Sequence, residues 1–180
     1  MSLQEIEQNL SNIAQQYDNY PPVMDWHPTV EGTIDIRIDR EGHWYHEGTK
    51  FERDALVQLF AKLLRCEGDN HYLVTPVEKL AIKVECAPIV ILSVVKIGDA
   101  ENAELFFTTN TNEQVHLASP LAFGTIAYAG QLLPCLPMRN NLKALIHRNV
   151  FYQLIAMADI DEDEHAYLTS HGETFYLPSP

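Results

Sequence analysis

The stretch "YLVTPVEKLAIKVE", residues 72–85, decides how the chain is divided. From Leu80 it alternates, with Leu80, Ile82 and Val84 on one side and Ala81, Lys83 and Glu85 on the other. That is the period of a half-buried strand. Glu78 falls on the apolar parity just after Pro76. A carboxylate there marks a break. With Pro76 as a joint between two halves, Glu78 and Lys79 lie at a partly wet seam. They serve there as an ion pair, as a bulge that resets the register, or as a ligand contact.

Outward from this seam the chain reads in two parts. Toward the N-terminus, Ser2 and Glu5 form a capping box, and Leu3, Ile6, Leu10, Ile13 and Tyr17 form one helical stripe. Pro21, Pro22 and Pro28 force extended chain. Ile34, Ile36 and Ile38 alternate with Asp35, Arg37 and Asp39, and "REG" turns that strand back through residues 43–46. Thr49 and Glu52 suggest a second capping box, with a helix expected over residues 50–65 and a strand over 72–75. Beyond Pro76, strands are expected at 78–85, 89–96, 104–109 and 115–118, in an antiparallel meander. Asn140 is expected to cap a long helix reaching Met157. "DIDEDE" reads as a solvated loop, and residues 166–170 and 174–177 as a last hairpin.

The 180 residues, 46% hydrophobic, describe a globular chain able to bury a core. There is no apolar run long enough for a membrane span, and the polar amphipathic start is unlike a signal peptide, so a cytoplasmic protein is expected. Three separated cysteines without a C-x-x-C argue against a disulfide framework or a zinc site. A net charge of −13 excludes a general nucleic-acid binder, since such affinity comes from neutralised phosphates.

An internal echo links "RDALVQLF" (residues 53–60) to "RNNLKALI" (residues 139–146), each followed by a Tyr-Leu strand. The segments "DWHP", "GTIDIRI", "GHWYHEG", "YLVTPVEK", "VECAP" and "RNNLKALIHRNVFY" together resemble the bacterial family called domain of unknown function 1285. The resemblance covers residues 25–177. It implies two domains sharing a repeated structural motif, the second superficially similar to pleckstrin-homology folds. It also implies a nucleotide-like ligand between the domains and a link to signal transduction. Cys86 departs from the family pattern, which carries an aspartate before Ala-Pro.

Arg53 and Arg139 each stand at the start of an expected helix, where unpaired N–H groups and partial positive charge favour an anion. An arginine fork suits phosphate or carboxylate, although with 25 acids for 12 bases most arginines find a carboxylate. Lys79 adds charge, Thr75 and Glu78 add hydrogen bonds, and Trp44 offers a stacking face, although an aromatic beside a hairpin and a Pro-rich link is more often core. No metal site is expected. His43 and His46 lie three apart on a strand and face opposite ways. The calcium-like run from Asp159 has Glu164 where the loop needs glycine and Ser170 where it needs glutamate. No nucleophile, phosphate-binding or dinucleotide motif is present, so no catalytic residue and no cofactor is assigned.

These features predict an α+β protein of two small domains, residues 1–75 and 76–180, sharing a strand–helix–strand motif, the second a meander closed by a helix. The expected function is a non-catalytic module holding a small anionic or nucleotide-like ligand between the domains through Arg53, Arg139, Lys79, Glu78, Thr75 and Trp44. The alternatives are a protein-interaction module without a small ligand and an enzyme with an unrecognised site.

Overall fold

Thr75 closes a hairpin. Its N–H donates to the Glu78 carbonyl oxygen at 2.9 Å, and its Oγ1 accepts from the N–H groups of Val77 and Glu78 at 3.2 and 3.0 Å. In this computed structural model, which describes residues 20–99 and 102–178 together with Gln8, Asn12, Ile13 and Tyr17, the T-P-V-E segment therefore links two antiparallel strands. Pro76 sits at the turn and not at a domain joint. Glu78 takes the apolar parity because it is the first strand residue after a turn, where a side chain is only half-buried.

The chain divides into two units, Met1–Pro88 with Arg139–Leu142, and Ile89–Met138 with Lys143–Pro180. The expected boundary at residue 75 thus falls inside the first unit. The reason is pairing: the strand after Pro76 is hydrogen-bonded on both sides to first-unit strands. Most of the expected N-terminal helix, including Ser2 and Glu5, lies outside the described residues. Gln8, Asn12 and Ile13 are helical.

In the first unit β1 (Val30–Ile38), β2 (Trp44–His46) and β3 (Thr49–Lys50) run outward as an antiparallel meander. The turn at Glu47 and Gly48 has φ of 48° and 78°, the twist that a two-residue hairpin loop needs. Helix α1 (Asp54–Lys62) then carries the chain to the far edge, where β4 (Leu64–Glu67), β5 (Asn70–Val74) and β6 (Glu78–Val84) return inward. β6 closes beside β1, and that central pair is parallel. Leu56, Phe60 and Ala61 bury the inner face of α1, and Trp44 stacks on Phe60 with ring centroids 6.1 Å apart.

In the second unit β7 (Ile89–Ile97), β8 (Glu104–Thr109) and β9 (Gln114–His116) run outward, and β10 (Gly124–Tyr128), β11 (Gln131–Pro137) and β12 (Lys143–Ile146) run inward. β12 pairs in parallel with β7. Each six-stranded sheet is thus two three-stranded meanders joined by one parallel pair at its centre. Helix α2 (Arg148–Met157) follows β12, and β13 (Asp159–Ile160), β14 (Ala166–Ser170) and β15 (Glu173–Tyr176) form a third, smaller sheet.

Several expectations change. The helix expected over 50–65 is shorter at both ends. Thr49 and Lys50 are claimed by β2, and Val74 N–H donates to Leu63 O at 3.0 Å, so strand pairing begins there. The helix expected from Asn140 starts only at Arg148, with the His147 ring accepting from Asn149 N–H at 3.3 Å. Asn140 and Asn141 have φ of 57° and 60°, which no right-handed helix accepts, and Ala144, Leu145 and Ile146 are a buried strand between β11 and β7. The echo segments therefore take different forms: residues 53–60 are largely helix, while residues 139–146 are a 3-10 turn and a strand. The expected purely antiparallel meander gains its parallel pair, and β13 occupies the first part of the acidic loop. Among the described residues no helix is long and apolar enough to cross a membrane.

Candidate functional site

The six expected ligand residues all lie in the first unit, mostly with partners of their own. Lys79 Nζ sits 2.9 Å from Glu31 Oε1 and 3.2 Å from Glu67 Oε2, over the Tyr72 ring. Hydrogen bonds to Glu31 and Glu67 hold the ammonium above its ordinary pKa. These pairs lie within one sheet of the first unit, where Glu31 and Lys79 are register partners across β1 and β6, and do not lock two halves together. Thr75 spends its hydroxyl on the hairpin turn, bonding the backbone N–H groups of Val77 and Glu78 and the Glu78 carbonyl oxygen. Trp44 is 1% exposed, so its faces are core surface.

The arginines are anchored at opposite ends of one helix. Arg53 is the exposed N-cap residue of α1, and its carbonyl accepts from Leu56 and Val57 N–H. Arg139 Nη2 donates to Ala61 O at 3.1 Å, in the last turn of α1, and its guanidinium lies 4.1 Å from the Tyr20 ring centroid. A cation there satisfies carbonyls at the negative end of a helix. Along the axis Arg53 and Ala61 are about 12 Å apart at the helical rise. Asn140 and Asn141 continue the same duty, donating to Leu64 O at 3.0 Å and Cys66 O at 3.5 Å. Cys86, at the position where the family pattern departs, is partly covered, and burial pushes its thiol pKa up.

The second unit offers two features that the sequence left unmarked. One is an open groove of about 540 Å³ between residues 119–123 and β15, lined by Ser119, Leu121, Phe123, Glu173, Thr174 and Tyr176. Glu173 Oε2 accepts from Ser119 N–H at 2.8 Å and ties the two walls together. The other is a cluster in which Glu104, His116 and His171 bring one ligand atom each to within 4.8 Å of one another. Spacings of 12 and 55 residues hide it from any local pattern. The only sequence signal is that Glu104 and His116 fall on exposed parities of adjacent strands.

Two strand-dominated sheets with the helices α1 and α2 define a two-domain α+β protein. Comparison with known proteins gives the family. Residues 21–87 match the model for the N-terminal domain of DUF1285, a domain of unknown function, and residues 88–177 match the model for its C-terminal domain. A DUF1285 family protein from Silicibacter pomeroyi DSS-3 is 36% identical, with 93% of this chain and 92% of that chain covered and a TM-score of 0.79. Another from Shewanella baltica OS155 shares the fold at 23% identity and a TM-score of 0.53, covering 67% and 90% of the two chains. The chain belongs to the DUF1285 family. No curated protein matches it.

Proposed function

We propose that the protein is a non-catalytic binding module with a part in signal transduction, which takes a small nucleotide-like molecule by its flat ring in the groove of the second unit. The groove carries this proposal. Its volume of about 540 Å³ suits a small ligand. Leu121, Phe123 and Tyr176 supply apolar and aromatic faces, and Ser119 and Thr174 supply hydroxyls. The Glu173 carboxylate holds the wall by accepting from Ser119 N–H. With that carboxylate on the rim, the phosphate end of a nucleotide would face solvent. Binding an anion through Arg139 and Lys79 instead would require those side chains to leave Ala61 O, Glu31 and Glu67.

Calorimetry with adenosine, guanosine, their monophosphates and inorganic phosphate tests this. Nucleosides should bind as well as nucleotides, and Phe123→Ala should abolish binding without unfolding the protein. Silence from the whole panel overturns the proposal. Binding restricted to phosphate-bearing compounds and lost in Arg139→Ala favours the first-unit residues.

A protein-interaction role is favoured by one observation. Val95 and Ile97, 53% and 56% exposed, lie across from Phe106 and Glu104 on the outer face of the second sheet. Loss of a captured partner in Ile97→Glu, with stability unchanged, would support it.

A further inference from the structure

We propose that Glu104, His116 and His171 form a binding site for a divalent transition-metal ion, with zinc the best match to the donors. Two imidazoles and one carboxylate are a donor set that zinc takes at about 2.0–2.2 Å, and three protein ligands leave a fourth position open. Tetrahedral donors at those bond lengths lie about 3.3 Å from one another. Glu104 Oε1 and His171 Nδ1 are already 3.3 Å apart. The His116 ring brings a nitrogen to within 4.8 Å of both, so small side-chain shifts close the third corner.

His116 supplies an independent sign. Its Nε2 is buried and has no hydrogen-bond partner, which buried polar atoms in folded proteins seldom tolerate. The ring is held flat against Phe106 at a centroid distance of 4.5 Å and meets the His171 ring edge-on at 5.4 Å. Phe106 and His116 are register partners, and Glu104 lies two residues along the same face of β8.

The frame behind these side chains is fixed. The buried Ser170 hydroxyl accepts from Leu105 N–H at 3.0 Å and donates to Leu117 O at 2.6 Å, and His171 N–H donates to Ala103 O at 2.8 Å. Each donor is thus one residue from a junction tying β8, the end of β9 and the β14–β15 turn. A fixed backbone frame and a His116 ring packed on Phe106 hold the ligand set in place, which is what a metal site requires. The other acid-histidine cluster, Asp161, Asp163 and His165, differs: Asp161 Oδ1 already accepts from the N–H groups of Asp163 and His165, and the group is explained as a loop turn.

The test is titration of the full chain, stripped with EDTA, with zinc and with cobalt, read by calorimetry, thermal melting and cobalt visible absorption. One saturable site should appear, with a tetrahedral cobalt spectrum and a raised Tm. His171→Gly removes a ligand at a residue with φ of 53°, a backbone conformation glycine prefers, so the variant should stay folded. It should weaken zinc by about 100-fold or more. His116→Ala should do the same. No saturable site, a site unchanged in His171→Gly, or one lost instead in Asp163→Asn would overturn the proposal.

Discussion

The Ser170 hydroxyl donates to the Leu117 carbonyl oxygen at 2.6 Å across 53 residues of sequence and accepts from Leu105 N–H with its other side. It is fully buried. One serine thereby satisfies two main-chain groups, on the start of β8 and the end of β9, neither of which can turn to water. Removing the hydroxyl leaves a buried donor and acceptor short of partners, at a cost of about 1–3 kcal/mol. Ser170→Ala should lower stability by that amount in urea denaturation. An unchanged midpoint would show that other groups satisfy Leu105 and Leu117.

Trp44 gives the sharpest contrast between a ligand role and a packing role. It is enclosed by Phe51 and Phe60, with ring centroids 6.4 and 6.1 Å away. Trp44→Ala opens a cavity and should cost about 3–5 kcal/mol. Trp44→Phe should cost less, since it keeps an aromatic ring against Phe51 and Phe60 and leaves a smaller cavity. Equilibrium unfolding followed by circular dichroism orders the three proteins. Equal stability of Trp44→Ala and the native chain would return the indole to the list of ligand contacts.

Acid should weaken the first unit through His71. Burial lowers the pKa of this histidine, partly opposed by the charge of Asp69, so the folded state disfavours the imidazolium. The unfolded chain then takes up its proton first, near the ordinary value of about 6.5. The associated stability is complete above that pH and is lost as the pH falls from there through the lower folded value. Urea melts at pH 7.5 and 5.5 should show a smaller drop for His71→Phe than for the native chain. An equal drop would assign the acid sensitivity to other groups.

Local patterning made most strands legible, including β1, β6 and β7, and left the parallel pairing at the centre of each sheet dark. Alternation placed β1, β6 and β8, and the glycine-bearing tips placed the hairpins, because those signals are carried by neighbours in sequence. Leu63 and Leu64, by contrast, satisfy a helical stripe and a buried strand equally, and only the pairing with β5 decides. The same holds for residues 142–146, whose apolar run is a strand because β11 and β7 flank it. The two parallel pairs join strands far apart in sequence and leave no local trace. Candidate residues fared similarly. Arg139 was visible as a cation beside an expected helix, yet it serves the far end of a different one. Glu104, His116 and His171 meet only after three separate strand elements are assembled.

The turn at Thr75 answers a smaller question about hydroxyl and backbone. Its Oγ1 accepts from two successive N–H groups, which fixes the loop between β5 and β6. Thr75→Ala should cost about 1 kcal/mol. Thr75→Ser, which keeps the oxygen, should recover most of that loss. If serine and alanine prove equally destabilised, the methyl group's packing rather than the hydroxyl holds the turn.

Asn140 combines two demands that substitution can separate. Its backbone φ of 57° is left-handed, and its Nδ2 donates to the Leu64 carbonyl oxygen at 3.0 Å. Glycine meets the first demand and not the second. Alanine meets neither, and a side chain beyond glycine in this region costs about 1–2 kcal/mol when it cannot bond locally. The lost hydrogen bond is worth about 1 kcal/mol in either variant. Stability should therefore fall in the order native, Asn140→Gly, Asn140→Ala, with the second step at least as large as the first. Asn140→Asp tests the bond by itself: a carboxylate tolerates the left-handed backbone but can only accept, so it sets a negative charge against the Leu64 carbonyl. It should be less stable than Asn140→Gly. If the aspartate instead matched the native protein, the amide contact would carry no weight, and the backbone conformation alone would explain why an asparagine stands here.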